Sequence, residues 1–276
     1  MQSTTCEIKS MKHPSNISRN NFLNNRLTAL SVLLIISCST SPPGVDNSDP
    51  WLQAHPIVPI FEATKGLTQL GPFGLWSGIL YVPESYSSDK AMPLLVAMHG
   101  ASGSSSNWKS YHSSAESKNM IFMAMDSRYY TWDLILGGYG SDLRALDMAL
   151  QYVFNRCNID PTHIALCGFS DGATYALSLG ISNGDLFSHL IGFSPGFVIR
   201  SEPLLGKPKI YISHGNMDYD LPVEGSRDYI VPTFINMGYD VTYYEFRGGH
   251  SLPAAVSEQA SNWFLDSLVD DPENIE

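Results

Sequence analysis

The feature that most constrains this chain is the stretch Ile164–Ala173, which reads IALCGFSDGA. Its opening residues are apolar without alternation, which is typical of a buried central strand in a parallel sheet. The segment Gly168–Gly172 fits the pattern G-x-S-x-G, in which a sharp strand-to-helix turn lifts a serine hydroxyl above the sheet. A Cβ at either glycine is expected to collide with the neighbouring strand or helix. The stretch therefore predicts a strand, a tight turn carrying Ser170, and a helix.

Strand and helix patterns alternate along most of the chain. Apolar runs predict strands at Leu75–Val82, Leu94–Met98, Met120–Met125, His163–Cys167, Leu190–Phe193, Ile210–Ser213 and Val241–Phe246, after a possible first strand at Ile60–Leu67. One helical pattern ends near Lys118. Four others cover Ser141–Arg156, Asp171–Ser182, Val223–Asn236 and Pro253–Leu268. This alternation implies an α/β fold with a mostly parallel sheet of about eight strands covered by helices on both faces.

Composition excludes some partners. The 276 residues suit one large α/β domain, and a hydrophobic fraction of 43% can fill a sizeable core. The formal net charge of −11 argues against nucleic acid and against anionic membrane surfaces as direct partners. Any association with a membrane is therefore expected only through a lipid at the N-terminus.

The first residues have the pattern of an export signal. A basic region precedes a short apolar run, Leu27–Ser37, which ends on Cys38. Ile35–Cys38 resembles the lipobox of bacterial lipoproteins, which implies that residues 1–37 are a signal peptide and that Cys38 is the lipidated mature N-terminus. An ordinary secretory signal or a single membrane anchor is the alternative, and Met11 is a possible true start. The expected location is the bacterial cell envelope, lipid-anchored and facing the periplasm or the surface.

The remaining chain divides by composition. Residues 38–59 are rich in proline and polar residues, which predicts a tether between the lipid and the folded domain. The domain is expected to cover residues 60–270, followed by an acidic tail at 271–276. Cys157 and Cys167 are the two cysteines inside the domain, and buried free thiols are favoured over a disulfide.

Later strands lead to candidate partners for Ser170. A serine hydroxyl is a weak nucleophile unless a base removes its proton, and the base must be oriented by a third group. The strand Ile210–Ser213 leads to two acids, Asp218 and Asp220, and the strand Val241–Phe246 leads to His250. The order serine, acid, histidine is the one that G-x-S-x-G hydrolases follow.

Four segments together resemble the α/β-hydrolase superfamily, in particular the small serine esterases of its phospholipase/carboxylesterase-like group. They are His99-Gly100, Gly168–Gly172, His214-Gly215-x-x-Asp218-x-x-Leu221-Pro222 and Gly249-His250. The resemblance implies the α/β-hydrolase fold, with Ser170 as nucleophile, Asp218 as acid and His250 as base. The spacing of the family segment selects Asp218 over Asp220. No cofactor and no metal are implied.

The oxyanion of such a reaction needs fixed N–H donors. One is normally the residue after the nucleophile, here Asp171. By the family pattern the second is Ala101, with Ser102 as the alternative. Ser102, Tyr130 and Trp132 are candidate lining residues of a substrate pocket, although core packing explains the aromatic residues equally well.

The function expected from these patterns is hydrolysis of carboxylic esters through an acyl-enzyme. The stretch Ser194–Pro208 is too short to insert a large lid, which favours soluble or surface-exposed small or oligomeric esters over emulsified fat. Two alternatives stay open: a hydrolase of another acyl bond, such as a thioesterase or peptidase, and a non-catalytic binding lipoprotein that has kept the fold. The sequence does not indicate an oligomeric state.

Overall fold

The computed structural model of the protein describes residues 49–71 and 77–266. The expected signal peptide, Cys38, the first part of the tether and the acidic tail lie outside the described residues. Within the described ranges, no helix is both long enough and apolar enough to cross a membrane.

Eight strands and six α-helices alternate along the described chain. The strands are Gly66–Leu70 (β1), Gly78–Val82 (β2), Met92–Met98 (β3), Ile121–Met125 (β4), Ile159–Phe169 (β5), His189–Phe193 (β6), Lys209–Gly215 (β7) and Val241–Phe246 (β8). The helices are Tyr111–Ser117 (α1), Asp133–Leu136 (α2), Ser141–Phe154 (α3), Asp171–Ser182 (α4), Val231–Asn236 (α5) and Ala254–Asp266 (α6).

The strands form one mostly parallel sheet in the order β1-β2-β4-β3-β5-β6-β7-β8. β2 pairs antiparallel with both β1 and β4, and all later pairings are parallel. The prediction of a mostly parallel α/β sheet is therefore confirmed. The connection from β6 to β7 lies wholly within the described residues and contains no helix. This is the stretch that the sequence analysis judged too short to insert a large lid.

Three elements differ from the sequence prediction. The first strand is β1 and not Ile60–Leu67. The predicted helix Val223–Asn236 consists of a π-helical segment, Gly225–Ile230, followed by α5. The short helix α2 was not predicted, because only four residues follow a loop there and no amphipathic period can develop.

The core lies on both faces of the sheet because successive residues of a strand point to opposite sides. In β3, which is buried along its whole length, Val96 belongs to the cluster on one face and Leu95 to the cluster on the other. Covering helices on both sides explain why the central strands are apolar without alternation. α4 packs closely: a Cβ at Gly180 would lie 2.1 Å from the Leu190 side chain on β6.

The register of the sheet brings several loops to one edge. Met98 at the end of β3 pairs with Gly168 of β5, so the loop after β3 lies beside Ser170. Gly215 at the end of β7 pairs with Phe246 at the end of β8, so the loops that carry Asp218 and His250 are also neighbours. The carboxyl ends of parallel strands thus gather these loops, as expected for ligand sites in open α/β sheets.

The end of the predicted tether is packed onto the domain. Leu52 and Ala54 are buried, and Leu52 N–H donates to the Asn183 side chain, whose amide in turn donates to the Pro50 carbonyl, both at 2.8 Å. Ala54 N–H donates to Asp147 on α3 at 2.8 Å. Among the described residues, Pro50, Leu52 and Ala54 of the predicted tether therefore contact the domain.

Cys157 and Cys167 are free and buried, as the sequence analysis favoured. Burial raises the pKa of Cys157 to about 12 and also raises the pKa of Cys167. Both thiols are therefore protonated near neutral pH and serve as small apolar side chains in the core.

Candidate active site

Ser170 occupies a strained turn between β5 and α4. Its φ of 57° and ψ of −121° lie in a region that residues with a side chain rarely adopt. Three backbone hydrogen bonds hold it there: Ser170 N–H donates to the Phe193 carbonyl at 2.9 Å, and the Ser170 carbonyl accepts from Ala173 and Thr174. The hydroxyl does not cap α4, so it remains available for other contacts.

Two glycines permit this turn. A Cβ at Gly168 would lie 2.1 Å from the Gly172 carbonyl oxygen, and one at Gly172 would lie 2.3 Å from the Met98 carbonyl oxygen on β3. Backbone atoms cannot yield at such distances. The collision that the sequence analysis expected at both positions is therefore confirmed.

Ser170, His250 and Asp218 form one hydrogen-bonded chain. Ser170 Oγ lies 2.8 Å from His250 Nε2, and His250 Nδ1 lies 2.7 Å from Asp218 Oδ2. The imidazole packs on the Phe169 ring at a centroid distance of 4.8 Å. The Asp218 side chain is fully enclosed, whereas His250 keeps part of its ring accessible. This arrangement can move a proton from a serine hydroxyl to an imidazole whose other nitrogen is fixed by a carboxylate.

The loops of Asp218 and His250 are held against each other by their backbones. Asn216 N–H donates to the Phe246 carbonyl at 2.9 Å, and Met217 N–H donates to the Gly248 carbonyl at 2.8 Å. A Cβ at Gly215 would lie 2.5 Å from the Gly248 carbonyl oxygen, so only glycine allows this approach. The position of Asp218 relative to His250 therefore follows from a close contact between two strand ends.

The structure distinguishes the two candidate acids. Asp218 points inward, and its Oδ1 accepts from the backbone N–H groups of Asp220 at 3.0 Å and Leu221 at 2.9 Å. Burial opposes ionisation of Asp218, but the Leu221 N–H and His250 together hold the pKa of its carboxyl below the usual value. The Asp220 side chain is exposed. The geometry places Asp218, and not Asp220, against His250.

The backbone N–H groups expected to bind an oxyanion differ in whether they already donate a hydrogen bond within the protein. Among the residues that the structure describes, the N–H of Ala101 and that of Asp171 have no hydrogen-bond acceptor. The N–H of Ser102 donates to the Tyr130 carbonyl at 2.5 Å and is therefore occupied. The loop is close to the nucleophile, since a Cβ at Gly100 would lie 3.2 Å from Ser170 Cβ. Ala101 is thus better placed than Ser102 to supply the second donor.

The candidate lining residues have different environments. Tyr130 is 65% exposed at the rim, and Ser102 is exposed beside it. Trp132 is 1% exposed, packs on Tyr175 in the core, and donates its indole N–H to the His99 carbonyl at 2.8 Å. Trp132 therefore cannot line an open pocket. It supports the end of β3 instead, and the prediction that it lines a pocket is wrong.

A hollow of about 250 Å³ lies beside the nucleophile. Its walls combine the free N–H of Ala101 with apolar side chains, of which Phe169 precedes Ser170 and Leu252 follows His250 by two positions. The complete lining is His99, Gly100, Ala101, Gly103, Asn107, Trp108, Phe169 and Leu252. The sequence analysis missed Asn107, Trp108 and Leu252; for Leu252, closeness in sequence to His250 was the available signal.

Comparison with known proteins supports the architecture. No protein-family model matches the sequence, and no curated protein matches it. Several solved structures are similar to it in fold. Esterase PE8 is 22% identical over 69% of this chain and 98% of that chain, with a TM-score of 0.56. S-formylglutathione hydrolase from Staphylococcus aureus is 12% identical over 73% and 98%, with a TM-score of 0.59. The Bacillus cereus carboxylesterase is 16% identical over 71% and 96%, with a TM-score of 0.55. The chain therefore has the α/β-hydrolase fold.

Proposed function

We propose that this protein is a serine hydrolase that cleaves carboxylic esters through an acyl-enzyme on Ser170. The observation that carries the proposal is the continuous contact from Ser170 Oγ through His250 to Asp218, at 2.8 and 2.7 Å. The similar structures include an esterase and a carboxylesterase, which agrees with it. The strained turn at Ser170, which costs stability, also favours a catalyst over a binding protein.

The proposed reaction has two halves, formation and hydrolysis of the acyl-enzyme, and Ser170, His250 and Asp218 take part in both. Ser170 Oγ attacks the ester carbonyl carbon while its proton moves to His250 Nε2, and Asp218 stabilises the resulting imidazolium. The carbonyl oxygen becomes an oxyanion that accepts hydrogen bonds from the N–H groups of Ala101 and Asp171. The bond to the alcohol oxygen then breaks, and His250 gives its proton to the departing alcohol. Water repeats the sequence on the acyl-enzyme and releases the acid.

The hollow beside Ala101 is proposed to hold the acyl group. Its volume of about 250 Å³ is smaller than the usual range for drug-sized ligands, about 300–1,000 Å³, which favours small acyl groups over long chains. The apolar side chains of Trp108, Phe169 and Leu252 suit a hydrocarbon or aryl substituent. The alcohol part faces the open rim near Tyr130, so larger alcohols remain acceptable.

The pH dependence follows from the base. Only neutral imidazole can accept the serine proton, so kcat/KM is expected to rise with pH as the base loses its proton. Asp218 remains a carboxylate near neutral pH because its pKa is held below the usual value. The profile should therefore show one ascending limb, which belongs to the base.

A panel of esters tests the substrate class. With the purified chain and p-nitrophenyl esters from acetyl to dodecanoyl, we expect kcat/KM to peak at a short acyl group and to fall at least about 10-fold for dodecanoyl, because a small hollow favours short acyl groups. The matching thioester and p-nitroanilide distinguish the other acyl hydrolases. Faster cleavage of the thioester or the anilide than of the ester would replace the proposed substrate class.

We further propose that lipid on Cys38 holds the enzyme at a membrane. Each buried CH₂ contributes about 0.8 kcal/mol, so two or more acyl chains give an essentially permanent anchor. We expect the wild type in the membrane fraction, released by detergent but not by salt, and Cys38→Ser as an unprocessed precursor. A chain beginning at Ser48 keeps the contacts of Pro50 and Leu52 and should be soluble and fully active. Wild-type protein free in the medium with another N-terminus would refute the lipid anchor.

A further inference from the structure

A second histidine contacts the candidate acid. His214 lies at the end of β7, four residues before Asp218, and both side chains are completely enclosed. His214 Nε2 lies 2.8 Å from the Leu221 carbonyl oxygen and 3.2 Å from Asp218 Oδ2. His214 Nδ1 lies 2.7 Å from the hydroxyl of Ser226 in the π-helical segment. The imidazole therefore uses both ring nitrogens.

The partners determine the tautomer of His214. The Leu221 carbonyl can only accept, so the proton resides on Nε2 and is donated to that carbonyl, while Asp218 Oδ2 lies 3.2 Å from the same nitrogen. Nδ1 then accepts from the Ser226 hydroxyl, which is fully buried and can donate. With its proton on Nε2, His214 satisfies both the Leu221 carbonyl and the buried Ser226 hydroxyl.

We propose that His214 is a positioning residue, which acts on the reaction by holding the Asp218 carboxylate in the orientation that His250 requires. This inference rests on the proposed function. Asp218 Oδ1 accepts from two backbone N–H groups, whereas Oδ2 accepts from His250 at 2.7 Å and lies 3.2 Å from His214 Nε2. Among the described residues, His214 thus places a second imidazole beside this carboxylate, and its N–H holds the Leu221 carbonyl, whose own residue donates to Asp218 Oδ1.

The charge on Asp218 is also affected. Burial raises the pKa of Asp218, and the Leu221 N–H, His250 and His214 together lower it below the usual value. Removing the His214 N–H leaves more negative charge on Oδ2, which stabilises the protonated form of His250 more strongly. The ascending limb of the kcat/KM profile should then move to higher pH, an effect that a purely structural role would not produce.

Two substitutions separate positioning from packing. His214→Met keeps an unbranched side chain of similar length without a donor, and we expect kcat to fall about 10-fold or more with KM little changed and the limb moved upward. His214→Gln can place an amide N–H near the former Nε2, so it should recover most of the activity and return the limb toward its wild-type position. Equal losses in both variants with an unmoved limb, or full activity of His214→Met, would overturn the proposal.

A measurement on the wild type covers the case in which His214→Met fails to fold. In ¹⁵N spectra of the imidazoles, the His214 signals are assigned by their absence in His214→Gln. We expect Nε2 protonated and Nδ1 unprotonated at the pH of the activity assay. An Nδ1–H tautomer would overturn the proposal whatever the activity. If the wild type cleaves no ester, the proposed function fails, and the tautomer still tests the contact with Asp218 separately.

Discussion

Replacing Ser170 with alanine is expected to lower the rate of ester hydrolysis at least about 10³-fold, measured as kcat on a soluble p-nitrophenyl ester. The change removes the oxygen that would carry the acyl group and nothing else in the 2.8 Å contact with His250. Because this hydroxyl does not cap α4, the free energy of unfolding should stay within about 1 kcal/mol of the wild-type value.

A matched control is Ser113→Ala. Ser113 is exposed on α1, and its hydroxyl donates to the Ser110 carbonyl at 3.1 Å. This variant should keep wild-type kcat and KM. Both variants are prepared by the same procedure, so that contaminating esterases can be excluded. If Ser170→Ala then keeps more than a tenth of wild-type activity, Ser170 is not the nucleophile.

Replacing Asp218 with asparagine is expected to cost about 10³- to 10⁴-fold in kcat, the size seen when the acid of a serine–histidine pair becomes an amide. The new amide would keep its carbonyl oxygen toward the N–H groups of Asp220 and Leu221, which leaves its NH₂ facing His250 Nδ1. The imidazole must then carry its proton on Nε2, where it cannot accept the proton of Ser170.

Asp220→Asn is the isosteric control two residues away. The Asp220 side chain is exposed, and the contact of this residue with Asp218 uses its backbone N–H, which the substitution retains. We expect less than a twofold change in kcat. A larger loss in Asp220→Asn than in Asp218→Asn would mean that the acid has been assigned to the wrong residue.

The strands and helices of the sheet layer were predictable because each shows a characteristic pattern among residues that are close in sequence. Strands buried on both faces, such as β3 and β4, consist of uninterrupted apolar residues, and the helices between them show the period of a half-buried helix. The turn at Ser170 was predictable because two glycines at fixed spacing have a steric cause. The predicted helix at Val223–Asn236 contains a π-helical segment, which no residue type specifies by itself.

Contacts between distant residues were not predictable. The proline-rich composition of residues 38–59 indicates a segment that resists helix and strand, but not that Pro50 and Leu52 bind Asn183, more than a hundred residues away. The indole of Trp132 could equally have pointed to the rim or to the core. Its burial depends on Tyr175 and on the His99 carbonyl, which the sheet brings beneath it.

The sequence alone also could not decide between candidate residues that lie close together in the chain. Asp218 and Asp220 follow the same strand, and only the fold of their loop turns one inward and leaves the other exposed. The same holds for Ala101 and Ser102, since the Ser102 N–H is engaged by Tyr130 from a different loop. Sequence patterns therefore located the candidate site to within a few residues, and close backbone contacts determine which of two neighbouring residues faces it.

The most direct test of the central claim is the mass of the protein after exposure to an alkyl fluorophosphonate, followed by peptide mapping. The account predicts a single adduct, on Ser170, formed by the wild type and by Asp220→Asn, and absent from Ser170→Ala. The adduct should form much more slowly in Asp218→Asn, because His250 can no longer take the serine proton. A wild-type protein that gains no adduct, or an adduct on any residue other than Ser170, would contradict the account.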